Sequence, residues 1–220
     1  MFISVNNVSK TYRMDKVEIQ ALKNVSLGIE AGDFICLMGP SGAGKSTLLH
    51  IIGCIENPTE GDVIIHSSNV KKMKDKTLSL FRNAHIGFIF QSFNLLPVLT
   101  VYENVEYPLM IRGKKVDRGH VESVIESVGL QDYMKHRPDE LSGGQRQRVA
   151  VARALVTKPD IIIADEPTAN LDSKTGDKII DLLLDLNRKS NTAFLFSTHN
   201  EAVSKYAKRI IHILDGELQD

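Results

Sequence analysis

Apolar and polar residues alternate through positions 2–35, interrupted at Asn6-Asn7 and again at Ala31-Gly32-Asp33. A period of two bounded by turn residues predicts a small antiparallel sheet. The pattern then changes to short unbroken apolar runs of buried-strand length at 34–38, 86–90, 161–164, 193–197 and 210–214, with a further strand at 61–66 after the turn Pro58-Thr59-Glu60-Gly61. Stretches of helical period stand between them, at 48–52, 73–83, 143–156, 173–189 and 200–207. Strand and helix in alternation predict parallel βαβ units and an α/β fold. From Ser92 to Leu141 the strand signals vanish and only helical period remains, at 101–110 and 116–128, separated by Arg112-Gly113-Lys114-Lys115. The organisation predicted is one domain over 1–220, with an α/β core at 1–91 and 142–220 and an inserted helical subdomain at 92–141.

Between the apolar run 34–38 and the helical stretch 48–52 lies Gly39-Pro40-Ser41-Gly42-Ala43-Gly44-Lys45-Ser46-Thr47, a G-x-x-x-x-G-K-S phosphate-binding loop in its strand, loop, helix context. Glycines let the backbone wrap a polyphosphate, and successive N–H groups and the helix dipole favour an anion there. Lys45 is placed to reach the β- and γ-phosphates, and the Ser46 hydroxyl to ligate Mg²⁺.

Two further motifs carry chemistry. Leu141-Ser142-Gly143-Gly144-Gln145 opens a helix with the S-x-x-Q spacing of a capping box, yet two adjacent glycines start a helix poorly unless something must approach the backbone closely. Ile161-Ile162-Ile163-Ala164-Asp165-Glu166 sets two carboxylates at the C-terminal end of an apolar strand, the edge where open α/β sheets bind ligands. Asp165 suits Mg²⁺, and Glu166 suits a general base toward water.

Composition narrows the partners. The 220 residues are 42% hydrophobic and 25% charged, with Lys+Arg and Asp+Glu at 27 each, so no global field draws nucleic acid, and no local basic patch replaces it. Apolar runs fall far short of the ~20 residues that span a bilayer. The first residues lack a basic-then-apolar leader, which argues against a signal peptide. Cys36 and Cys54 are expected to be reduced core residues, and the chain cytoplasmic.

Taken together, the phosphate-binding loop, Leu141–Gln145 and Ile161–Glu166 resemble the ATP-binding-cassette family, the nucleotide-binding subunits of ABC transporters. The resemblance spans essentially the whole chain and implies a P-loop NTPase core of RecA type, with an N-terminal antiparallel β subdomain and the inserted helices. It implies that Ser142, Gly143, Gly144 and Gln145 form the signature motif, that Gln91 touches Mg²⁺ and the lytic water, that Asp172 of Ala169-Asn170-Leu171-Asp172 lies at a dimer seam, that His199 contacts the γ-phosphate, and that Tyr12 stacks on adenine. The other six histidines keep structural roles. ATP and Mg²⁺ are the implied cofactors. Two chains are implied to pair head to tail, each signature capping the ATP of the other, and to drive an integral membrane permease from the inner face of the cell membrane.

Met38–Leu49, Gly87–Pro97, 99–105 and 164–172 resemble most the group that releases lipoproteins or exports macrolides, which also contains antimicrobial-peptide resistance cassettes and a cell-division cassette of slow turnover. Phe93, Leu95, Leu96, Val98 and Leu99 are equally suited to line a permease groove or to form subdomain core. A soluble, non-transport cassette ATPase of chromosome maintenance is the rival class; such chains carry a long coiled coil between phosphate loop and signature, and none is present.

Overall fold

The structure, a computed structural model, describes residues 1–14, 17–113 and 115–219. In chain order its first half comprises β1 (Ile3–Met14), β2 (Val17–Ile29), β3 (Phe34–Met38), α1 (Lys45–Ile52), β4 (Glu60–Ile65), β5 (Ser68–Asn69), α2 (Asp75–His85) and β6 (Ile86–Ile89). There follow α3 (Val101–Ile111), α4 (Arg118–Ser127), α5 (Gly143–Leu155), β7 (Ile161–Asp165), α6 (Ser173–Ser190), β8 (Ala193–Thr198), α7 (Glu201–Ser204), β9 (Arg209–Leu214) and β10 (Glu217–Gln219).

The alternating N-terminal stretch forms an antiparallel sheet of order β2-β1-β4-β5. At Asn6-Asn7 the structure corrects the expected turn: β1 runs on through a bulge, with Asn7 at φ 48 and the register slipping between Val5 and Val8. Val5 and Val8 are three apart, an odd spacing that regular pleating would send to opposite faces. The extra residue lets both be buried, at 1% and 0% exposure.

The second sheet has the order β10-β9-β3-β8-β7-β6, parallel from β9 to β6 with β10 antiparallel at one edge. Its central strands lie between two cores, which is why they are apolar throughout rather than alternating. Ile35, Leu37, Ile161, Ile163 and Leu195 pack with α1 and the antiparallel sheet on one side, whereas Phe34, Cys36, Ile162, Ala164, Phe194 and Phe196 pack with α5 and α6 on the other. Cys36 and Cys54 are both buried and unbonded. Burial pushes each thiol up to about 12, aided at Cys36 by the Glu166 charge.

Between β6 and β7, α3 and α4 pack on each other and on α5. Asp117 caps α4, accepting from the Gly119 and His120 N–H groups at 3.0 and 3.4 Å, so the helix begins at Arg118 rather than 116. The expected helix over 200–207 contracts to α7, because the chain tightens into three-residue turns (Tyr206 N–H to Val203 O, Ala207 N–H to Ser204 O) before Lys208 N–H joins Phe34 O.

This topology gathers the C-terminal ends of β3, β7 and β8 on one edge. The phosphate-binding loop after β3, the Asp165-Glu166 pair at the end of β7 and His199 after β8 therefore leave the sheet at the same edge.

Candidate active site

The phosphate-binding loop follows β3 and turns into α1 through Gly44, at φ 103. A Cβ there would sit 2.5 Å from Ala21 O, so the tight approach of loop and β2 admits only glycine. The loop borders a cavity of about 650 Å³ lined by Ala21, residues 40–42 and 44–47, Gln91, Glu166, Ala169 and His199. Lys45 is only 7% exposed. Its Nζ donates to Gly39 O at 2.7 Å and Pro40 O at 2.9 Å, with Glu166 Oε1 at 4.0 Å. Buried charge demands such partners.

Asp165 ends β7, directly beside Ser197 of β8 in the strand register. The Ser197 hydroxyl donates to Asp165 Oδ1 at 2.6 Å and accepts from Glu166 N–H at 2.9 Å. One buried hydroxyl thus fixes the carboxylate on one residue and the backbone of the next. Glu166 holds a left-handed conformation, φ 48, which is uncommon for a residue with a side chain and concentrates at functional sites. Its Oε1 meets His199 Nδ1 at 2.9 Å. A base candidate and its orienting imidazole are in contact, above the Lys45 cation.

Gln91, exposed at the cavity rim, starts a segment that the sequence described only as apolar. Phe93 and Asn94 are both left-handed, at φ 61 and 50. Arg153 of α5 secures them, donating to Asn94 O at 2.5 Å and Phe93 O at 2.7 Å, while Arg146 lies 5.4 Å from the Phe93 ring centroid. Asn170 Nδ2 donates to Gln91 O at 2.9 Å. The apolar set divides: Phe93, Leu95 and Leu99 are half-buried, whereas Leu96 and Val98 are 38% and 74% exposed.

Tyr12 lies beside the loop without lining the cavity: its hydroxyl donates to Glu56 Oε2 at 2.7 Å and stands 3.5 Å from Thr47 Oγ1. Burial raises its pKa, keeping the phenol a neutral donor. Ser142, Gly143, Gly144 and Gln145 also lie outside the cavity of their own chain. Ser142 and Gln145 close the capping box at the start of α5, with bonds of 2.8 and 3.3 Å. A Cβ on Gly144 would meet Thr175 Cγ2 at 2.6 Å, so the second glycine already has a reason within the chain. Asp172 caps α6, accepting from Thr175 N–H at 3.1 Å.

The residues present fit a magnesium nucleotide. No side chain caps α1 and no acidic residue stands in its first turn, which leaves its leading N–H groups for an anion. Ser46 and Asp165 supply hydroxyl and carboxylate oxygens, the hard donors that Mg²⁺ takes. Ser197 and Arg153 escaped sequence reasoning; a serine in an apolar strand and an arginine in a helix of several arginines carry no local signal.

Residues 22–169 match the family model for ABC transporters. The chain is 47% identical to the ABC transporter ATP-binding protein MJ0796 of Methanocaldococcus jannaschii, covering 99% of this chain and 95% of that one. It is 44% identical to the lipoprotein-releasing system ATP-binding protein LolD of Syntrophus aciditrophicus, covering 98% of each. Against the macrolide export ATP-binding/permease protein MacB of Bdellovibrio bacteriovorus it is 42% identical, over 99% of this chain and 33% of that protein. A dimeric structure of MJ0796 in a post-hydrolysis state, bound to ADP and Pi, superposes with a TM-score of 0.91 at 45% identity, covering 99% of this chain and 97% of that one.

Proposed function

The chain belongs to the ABC transporter family as an ATP-binding, ATP-hydrolysing cassette, and from that premise we propose that two copies close head to tail around two ATP molecules to drive a separate membrane subunit. The observation that carries this reading is the incompleteness of the cavity. One chain lines it with Lys45, Gln91, Glu166 and His199, while its own Ser142–Gln145 turn is not part of the lining. A second chain's signature turn completes the site, as a partner's residues do in an isologous pair. That MJ0796 is dimeric in a post-hydrolysis state bound to ADP and Pi supports the pairing of two copies.

Within each site Lys45 exchanges its carbonyl partners Gly39 and Pro40 for phosphate oxygens. The loop residues 39–47 cradle the phosphates, Ser46, Asp165 and Gln91 would hold Mg²⁺, and Tyr12 stacks on adenine. Bound Mg²⁺ neutralises developing charge on the phosphate oxygens. Glu166 accepts the proton of the attacking water, and His199 orients Glu166 and approaches the γ-phosphate. Asp172 stands at the seam. Loss of the bridging phosphate reopens the pair.

No helix among the described residues is long and apolar enough to cross a membrane. In this reading the membrane subunit acts in trans, with the cassette on its cytoplasmic face and exposed Leu96 and Val98, a few residues after Gln91, at the docking surface. Kinship with LolD and MacB favours lipoprotein release or export as the work done.

Glu166→Gln tests the shared site. It is expected to retain ATP binding and accumulate a dimer in ATP on light scattering. A variant that stays monomeric in saturating ATP overturns the proposal.

A further inference from the structure

At the opposite edge of the parallel sheet from the cavity, three side chains from three elements converge. His66 follows β4, His85 closes α2, and Asp160 precedes β7. His66 Nε2 lies 3.0 Å and His85 Nδ1 2.6 Å from one and the same oxygen, Asp160 Oδ2, and the three donor atoms fall within 4.8 Å of one another. Among the described residues this is the one group of three His, Cys, Asp or Glu donors gathered so closely.

The group is held, not merely crowded. Asp160 N–H donates to His85 O at 2.9 Å and Asp160 O accepts from Ala193 N–H of β8 at 2.9 Å, while His66 N–H donates to Phe2 O at 2.9 Å. Phe81 packs on the His85 ring at 4.4 Å between centroids and Phe2 on the His66 ring at 5.4 Å. The side chains are 33–44% exposed, so an ion from solution can reach them. Beside them opens a cavity of about 520 Å³, bordered by His66 and Asp160, with room for a water ligand.

Two imidazoles and one carboxylate form a donor set of intermediate softness, suited to Zn²⁺, Co²⁺ or Ni²⁺ and poorly suited to Mg²⁺. We propose that His66, His85 and Asp160 bind one divalent transition-metal ion, of which Zn²⁺ is the type, joining the antiparallel sheet to the parallel one. Metal–ligand bonds of about 2.0–2.1 Å place tetrahedral neighbours about 3.3 Å apart, so the contacts of His66 and His85 to Asp160, now 3.0 and 2.6 Å, open by about 0.3 and about 0.7 Å. Each neutral imidazole moves its proton to the other ring nitrogen and turns a lone pair to the ion; the carboxylate stays ionised and water takes the fourth position. The ion bridges His66, just past β4 of the antiparallel sheet, to His85 and Asp160, which lead into β6 and β7 of the parallel one. That clamp is separate from nucleotide binding.

Untagged protein, free of nucleotide and Mg²⁺, is titrated with Co²⁺, followed by its visible absorption, and with Zn²⁺ by calorimetry. One ion per chain is expected. Removing an outer-shell partner of a bound metal lowers affinity about 10–100-fold, so loss of a direct ligand in His66→Ala or Asp160→Asn should cost at least about tenfold, whereas Ser46→Ala should bind as the parent does. Zn²⁺ should raise the melting temperature of the parent and leave His66→Ala unmoved. His66 is the most exposed of the three, so its variant decides the outcome if Asp160→Asn does not fold. Absence of stoichiometric binding, or binding that survives His66→Ala, overturns the proposal.

Discussion

Ser197→Ala deletes one hydroxyl and, with it, the link between the two carboxylate residues. Ser197 is 0% exposed, and its Oγ makes two bonds, 2.6 Å to Asp165 Oδ1 and 2.9 Å from Glu166 N–H. A hydrogen bond to a charged acceptor contributes about 1.5–3 kcal/mol, and a buried N–H left unpaired costs about 1–3 kcal/mol. The two losses share one atom and overlap, so the expected destabilisation is about 2–4 kcal/mol. For a chain of this size each kcal/mol moves the melting temperature about 2–4 °C, giving a fall of roughly 5–15 °C by calorimetry. Turnover should fall further than stability suggests. The same bond holds Glu166 in its left-handed conformation, and misplacing a base by about 1 Å costs up to about 100-fold. ATP affinity should stay near the parental value, because Lys45 and the phosphate loop keep their contacts. A variant that melts within about 1 °C of the parent and hydrolyses ATP at the parental rate would refute the assignment.

Asn104, 0% exposed, holds the 96–100 segment through Leu96 N–H to its Oδ1 at 2.9 Å and its Nδ2 to the Leu96, Leu99 and Thr100 carbonyls at 3.0–3.1 Å. Asn104→Ala should lose about 2–4 kcal/mol, seen as a lower urea midpoint with an unchanged slope; a parental midpoint would contradict it. The Thr175 side chain and then its N–H hold the Asp172 carboxyl below its usual range. A depressed folded value makes its contribution present at neutral pH, above the unfolded value, and lost as pH falls through the folded one. Melting temperature followed from about pH 6 to about pH 2 should decline less steeply for Asp172→Asn, and identical acid limbs would remove the cap from the account.

Much of the site was legible because its chemistry is local. A phosphate cradle needs consecutive backbone N–H groups, so Gly39–Thr47 must be contiguous. Asp165 and Glu166 gain meaning from the apolar strand immediately before them, and His199 from the strand before it. Tyr12 was the weaker inference, resting on order along the chain; in the structure its hydroxyl is engaged by Glu56 and Thr47 and its ring lies outside the cavity. The apolar residues after Gln91 could not be sorted into core and surface, since helical and strand periods both fail in a segment whose left-handed turns are imposed by Arg153 from 59 and 60 positions away.

Sequence alone therefore determined the α/β class, the phosphate loop, the capped helix start at Ser142–Gln145 and the paired carboxylates, each written in neighbouring residues or in a repeat of two or 3.6. Tertiary structure decided the rest: the bulge that puts Val5 and Val8 on one face, the Ser197 hydroxyl bridging from 32 residues away, and the meeting of His66 with Asp160 across 94 residues. Strand order and register set those distances, and periodicity records which face a residue takes but not which distant residue it will face.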